Sequence, residues 1–283
     1  MNAHSSTPED LSITSRDLAF GRKVESPRHW LGGDPIATAF YNALSASFPQ
    51  GERFFMDSVR NFKSKADPKL QQQIVAFTTQ EALHTREHVF FNQQIAGAGY
   101  DLSKLDKIIK KRLDFGRTRP KIEQLGATIA LEHFTAILAH EALKNPAHFA
   151  DATPEAQRMW KWHAIEEIEH KSVAYDTFLA ATKNLPGWQR YFIRVRTMIV
   201  STFMFFEFLF RGIAYLFQQD GINTPSSWLK MFRFMLFKPG MIGRVIPAYF
   251  QYYRPGFHPW YEDDRGLIAE TEQALGLQAV QAA

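Results

Sequence analysis

Residues 162–176 read WHAIEEIEHKSVAYD, and residues 80–92 read QEALHTREHVFFN. Each stretch holds a Glu-x-x-His unit, Glu81 with His84 and Glu167 with His170. On an α-helix, residues three apart project from one face, so each pair can reach a common point. So short a motif also arises by chance, and its weight comes from its surroundings. A further glutamate lies in the predicted helix before each unit: Glu52 ahead of Glu81, and Glu132 ahead of Glu167. The order is therefore Glu, Glu-x-x-His, Glu, Glu-x-x-His, one element per helix. Glu132 sits in LGATIALEHF (residues 125–134), on or beside an apolar stripe. A buried carboxylate without a partner is very costly, and a metal ion is one of the few things that relieves the cost.

The patterning around these residues is helical, and alternating strand signals are poor. A helix is predicted from Asp34 to Ser47, interrupted near Pro49-Gln50-Gly51 and resuming from Glu52 to Phe62. Asp67-Pro68, a cap followed by proline at the first helical position, opens a long helix to about Ile95. A shorter helix spans Ser103 to Phe115, and another runs from Pro120 to Leu143. Thr153-Pro154-Glu155 opens the last of the set, which is expected to continue to Thr182. Four long helices with a crossover between the second and third give an all-α four-helix bundle. The expected division is a tail and lead-in over residues 1–33, a metal-binding bundle over 34–184, and an aromatic helical extension packed on it over 185–283.

Composition narrows the chemistry. The 283 residues include 25 Phe, 6 Trp and 9 Tyr but no Cys, so disulfides, thiolate nucleophiles and Cys-based zinc or iron–sulfur sites are excluded. Any metal is held by nitrogen and oxygen. A formal charge of +4, spread along the chain, argues against nucleic acid as a partner. The first 17 residues, MNAHSSTPEDLSITSRD, carry no apolar h-region; the expectation is a mobile tail and a cytoplasmic protein.

The last third differs in character. Residues 197–217, TMIVSTFMFFEFLFRGIAYLF, are broken only by Glu207 and Arg211, whose i,i+4 spacing allows an ion pair. Residues 226–240, SSWLKMFRFMLFKPG, mix aromatic and basic side chains in the manner of an interfacial element. A transmembrane span would put both charges near the bilayer centre at high cost. The segment is expected to pack on the bundle, with a surface suited to peripheral membrane contact.

The Glu and Glu-x-x-His order resembles the ferritin-like dinuclear carboxylate proteins over residues 35–182. PRHWLGGDP, LSASFPQGERFF and the two stretches quoted first resemble a family of predicted metal-dependent hydrolases over most of the chain. His163, four residues before Glu167, makes a His-x-x-x-Glu-x-x-His string similar to that of the di-iron arylamine N-oxygenases, the p-aminobenzoate N-oxygenase type. Carried over by position, that resemblance implies that Glu52, Glu81 and His84 serve one metal. It assigns Glu132, His163 and His170 to the other, with Glu81 and Glu167 bridging. His88 departs from the pattern and is a ligand, a hydrogen-bond donor to one, or a surface residue.

Glu87, Glu166 and Glu169 fall off the ligand face and are expected to meet solvent or orient ligands. His133 reads as structural, His140 and Glu141 as surface, and Tyr175 and Asp176 as candidate partners of the histidines. Two ions, iron or manganese, fit the ligand set. The leading expectation is an oxidoreductase that takes dioxygen as co-substrate and electrons from an external donor. Its substrate would be a hydrophobic or aromatic small molecule, oxidised at nitrogen or at a C–H bond. A two-metal hydrolase is the alternative, and a non-catalytic metal-binding or membrane-associated protein, monomeric or a homodimer, the third.

Overall fold

A computed structural model of the protein describes residues 6–22 and 25–277. The chain is all-α, and the described residues hold no strand; a lone bridge pairs Leu31 with Ala152. The helices are α1 (Pro35–Arg60), α2 (Pro68–Gly97), α3 (Ser103–Arg117), α4 (Lys121–Lys144), α5 (Pro154–Glu169) and α6 (Val173–Ala181). They are followed by α7 (Gly187–Gln219), α8 (Pro225–Leu236), α9 (Met241–Gln251) and α10 (Arg265–Leu275). Two of the helix starts carry aspartate caps, whereas Thr153 at the start of α5 makes no side-chain cap bond. Asp34 accepts from the Ile36 N–H and Asp67 from the Leu70 N–H, each followed by proline in the first turn.

The four long elements α1, α2, α4 and α5 pack together as a bundle. α1 lies along α2 and α4 along α5, and the α4–α5–α6 half closes against α1 and α2. α3 forms the crossover and lies over α1. One apolar core gathers Phe40, Tyr41, Phe91 and Trp160, and a second gathers Val59, Phe77, Leu125 and Phe178. The polar centre described below lies among the same helices.

Three expectations change. α1 runs unbroken through Pro49 and Gly51. A proline inside a helix costs about 3 kcal/mol. Burial of Leu44 before it and of Phe54, Phe55 and Val59 after it outweighs that, at about 1.5–3 kcal/mol for each large side chain. The helix expected from Thr153 to Thr182 is instead broken: α5 stops at His170, with φ −98° and ψ 5°, and α6 starts at Val173. The residues in the break are held by the C-terminal segment. Lys171 Nζ bonds to Asp264 Oδ2 (2.6 Å) and the Glu262 carbonyl (2.8 Å), and Trp260 Nε1 donates to Ser172 Oγ (3.2 Å).

The third change concerns the N-terminus. Residues 1–5 lie outside the described part, but those that follow are no loose tail. The Arg16 backbone N–H donates to Glu166 Oε1 (2.9 Å), and the Phe20 N–H to Glu87 Oε2 (3.1 Å). The Arg16 side chain, 3% exposed, reaches Glu169 at 2.6 Å and Glu272 of α10. Residues 14–20 thus strap the flanks of α2 and α5.

α7 is long and apolar enough by length and composition to cross a membrane, yet one side of it is built into the bundle. Gly126 of α4 and Gly212 of α7 allow the close approach. A Cβ at Gly126 would stand 2.9 Å from Thr197 Cγ2, and one at Gly212 3.1 Å from the Ala43 Cβ. Glu207 and Arg211 make the expected ion pair at 2.6 Å, and Glu207 also meets Arg112 of α3.

Candidate metal centre

Seven residues singled out from sequence converge: Glu52 from α1, Glu81 and His84 from α2, Glu132 from α4, His163 and Glu167 from α5, and His170 at its end. All are buried. Their ligand atoms fall into groups whose members lie within 4.8 Å of one another: Glu52, Glu81 and His84; Glu81, Glu132 and His170; and His84, His163 and Glu167. Glu81 belongs to two of these. Glu167 also faces both sides, with Oε1 3.4 Å from His84 Nδ1 and Oε2 3.7 Å from His170 Nε2.

His163 departs from the pairing that the resemblance implied. It groups with His84 and Glu167, and also with Glu52 and His88, rather than with Glu132 and His170. His88 is fully buried and not a surface residue. Its Nε2 lies 2.7 Å from His163 Nδ1, and its Nδ1 lies 2.9 Å from Ser45 Oγ.

The surroundings fix the tautomers of two histidines. His84 Nε2 donates to Glu166 Oε2 (3.1 Å), which leaves Nδ1 aimed at the centre. His170 Nδ1 donates to Gln80 Oε1 (2.9 Å), which leaves Nε2 aimed there. Such partners orient a ligand and raise its basicity. Thr85 Oγ1 donates to Glu52 Oε2 (2.8 Å) and leaves Oε1 open. What remains is a set of buried atoms with no hydrogen-bond partner: Glu52 Oε1, both oxygens of Glu81, both of Glu132, His84 Nδ1 and His170 Nε2. Buried polar atoms are nearly always satisfied, and a cluster of carboxylate oxygens and imidazole nitrogens of this kind fits divalent cations.

The electrostatics carry the same mark. Burial, reinforced by the charge of Glu81, holds the Glu52 and Glu132 carboxyls well above the usual range. Burial and Glu167 also raise Glu81, against the pull of His170. Burial disfavours the His84 cation, but Glu166 and Glu167 win and push it up to about 10; Glu167 likewise raises His170. Burial also opposes ionisation of Glu167, but His163 and His170 overcome it and hold that carboxyl low. Burial and neighbouring imidazoles keep His88 low and bring His163 down to about 4.

A pH dependence follows. Between about pH 7 and about pH 9 the lowered groups, Glu167, His88 and His163, carry the same charge in folded and unfolded chains and drop out. The raised groups stabilise the metal-free fold only while protonated, so that fold weakens as pH rises through their folded values. Bound cations take the place of those protons. The difference in melting temperature between loaded and metal-free protein is therefore expected to widen over this interval. Groups elsewhere cancel in the comparison, and a constant or shrinking gap measured by calorimetry contradicts it.

With this geometry in view, a family described as predicted metal-dependent hydrolase matches residues 14–263. The chain belongs to that family. No curated protein and no solved structure matches it. The matched span covers residues 14–20 of the strap, the bundle and α7 to α9.

Several neighbours of the centre carry roles that helical spacing hides. Glu166 and Glu169 are buried by the strap, and Glu87 by Arg22 and Arg86; none of the three meets solvent. Glu169 reaches the centre through Gln80, whose Nε2 donates to it at 2.7 Å. His133 bonds to the Ala248 carbonyl (3.2 Å) and is structural. Glu141 is buried against His148, contrary to its expected surface position. Tyr175 donates to the Phe257 carbonyl and Asp176 accepts from Thr7, and His258 lies 3.1 Å from Asp176; neither turns to the ligand histidines. His140, Glu262 and Asp264 form a further acidic group, but the Lys171 ammonium already neutralises it. The sequence had named Glu87, Glu166 and Glu169 as residues that meet solvent or orient ligands; the second role fits Glu166, which accepts from His84, whereas the strap is irregular backbone and left no signal.

Proposed function

We propose that this chain holds two metal ions among Glu52, Glu81, His84, Glu132, Glu167 and His170 and uses them to hydrolyse an apolar substrate. The observation that carries the proposal is the set of unpartnered carboxylate and imidazole atoms, divided into two groups that share Glu81. Family membership supports hydrolysis as the reaction. Glu52 and His84 would hold one ion and Glu132 and His170 the other, with Glu81 and Glu167 between them and His163 beside the first. Two such ions lower the pKa of a water molecule and polarise the bond it attacks.

The chain's own residues supply the rest. Beside His163 and Glu167 lies an apolar cavity of about 230 Å³, lined by Leu44, Phe48, Leu131, Phe134 and Phe205 among others. It binds the apolar part of a substrate and keeps bulk water out. His163 Nε2 lies 2.9 Å from Glu167 Oε1 and its Nδ1 meets His88 Nε2, which continues to Ser45. Both imidazoles are neutral at neutral pH, so a proton released at the centre can be taken at His163 Nε2 while the other ring nitrogen passes one to His88.

One observation favours a second reading, oxidation of the substrate by dioxygen with electrons from an external donor. The ligand set holds four glutamates and no aspartate, in a closed bundle rather than an open cleft. A single-turnover experiment separates the two. Reduced, iron-loaded protein mixed with oxygen gives a coloured transient if the second reading holds. No reaction with oxygen, together with turnover of apolar esters or phosphoesters, supports hydrolysis. Neither response from fully loaded protein leaves a non-catalytic metal protein. Metal analysis after expression in iron-replete and manganese-replete media decides between the ions.

A further inference from the structure

The cavity beside His163 continues outward between α3 and α7. Ile109, Leu113 and Gly116 line it from α3, and Met204, Phe205 and Phe208 from α7. Ring contacts then carry its wall to the surface: Phe134 with Phe205 at 5.0 Å, Phe205 with Phe206 at 5.3 Å, Phe206 with Phe210 at 6.1 Å, and Phe210 with Phe232 at 6.0 Å. Phe134 and Phe205 belong to the cavity, whereas Phe232 is exposed on α8.

The surface reached in this way is apolar. Trp188, Phe192, Ile199 and Phe203 share one stripe of α7, with Trp188 69% and Phe203 73% exposed. Leu229, Phe232 and Phe237 add to it from α8 and its end. An exposed apolar face of this extent marks an interaction site.

Its charge says with what. Residues 183–254 hold ten Lys and Arg against two Asp and Glu, while the whole chain holds 33 against 29. The positive excess is therefore concentrated in this segment, and not spread along the chain as the overall composition suggested. Both acids are already paired, Glu207 with Arg112 and Arg211, and Asp220 with Arg28. Lys230, Arg233 and Lys238 stand exposed beside Leu229, Phe232 and Phe237. Apolar and aromatic side chains flanked by cations fit the headgroup region of an anionic bilayer. A second copy of the chain would set like charge against like.

We propose that the outer faces of α7 and α8 dock this protein on an anionic lipid surface, so that the passage between α3 and α7 admits an apolar-chain substrate directly from the bilayer. The docking stands on the surface alone; the fate of the substrate rests on the metal-site reading above.

Flotation of the full-length, metal-loaded protein with phosphatidylcholine vesicles, with and without phosphatidylglycerol, tests the docking, and metal content is measured on the same samples. The wild type is expected to float with the anionic vesicles and to be released by salt. Phe203→Glu with Phe232→Glu, and separately Lys230→Gln with Arg233→Gln, are each expected to weaken binding about tenfold while leaving metal content unchanged. Uptake is read with cis-parinaric acid, a straight-chain acid that fluoresces in apolar surroundings. Emission is expected with the wild type and not with Gly116→Trp, which fills the passage but still floats. Full metal content without flotation overturns the docking and spares the metal site; flotation of metal-free protein does the reverse. Equal binding to neutral vesicles, or a dimer in sedimentation that hides this face, also overturns the proposal.

Discussion

Replacing Glu81 with alanine is expected to reduce bound metal from about two ions per chain to less than one. Neither Glu81 oxygen has a hydrogen-bond partner, and the residue belongs both to the group with Glu52 and His84 and to the group with Glu132 and His170. Its loss removes a ligand from both sides at once. Glu132→Ala removes one side only and is expected to leave about one ion. The metal-free Glu81→Ala fold should be no less stable than the metal-free wild type. Glu81 adds its charge to a centre where burial already penalises Glu52 and Glu132. Elemental analysis of purified protein, paired with thermal melts before and after chelation, reads both effects. Full occupancy in Glu81→Ala and in Glu167→Ala would contradict the bridging roles.

The second large effect is expected at a residue that touches no metal. Arg16→Ala strips the cation from between Glu166 and Glu169, both buried, and from Glu272. Burial works against the Arg16 cation, but Glu169, Glu272 and Glu166 together hold its pKa above the usual arginine value. Removing one partner of a buried ion pair costs about 3–5 kcal/mol, because the other is left uncompensated. Glu166 also accepts from His84, so the damage reaches the centre, where loss of such support weakens metal binding by about 10–100-fold. Arg16→Lys is expected to recover only part of this, since one ammonium cannot reproduce the planar fork that serves three carboxylates. Urea denaturation and chelator competition measure the two losses separately. Lost stability with unchanged metal affinity would show that the strap acts on the fold alone.

The centre was legible because periodicity and ligand spacing are local. Glu81 with His84, Glu167 with His170, and the lone Glu52 and Glu132 each needed only to lie on the correct face of a helix whose ends were capped in the sequence. The pairing of His163 was not legible in the same way. It lies inside α5 two turns before His170, so the side chains it meets depend on how α5 is set against α1 and α2, which local spacing does not record. The strap was missed for a related reason. Residues 6–17 are polar and irregular, and polar segments read as solvent-exposed unless buried counter-charges are known to await them. Pro49 misled in the opposite direction, because a local breaker was outweighed by packing on both sides.

The salt link between Arg16 and Glu272 joins residues 256 positions apart. During synthesis every candidate ligand from Glu52 to His170 has left the ribosome well before Glu272 exists. The Arg16–Glu272 contact over α5 therefore forms only after every candidate ligand has been made.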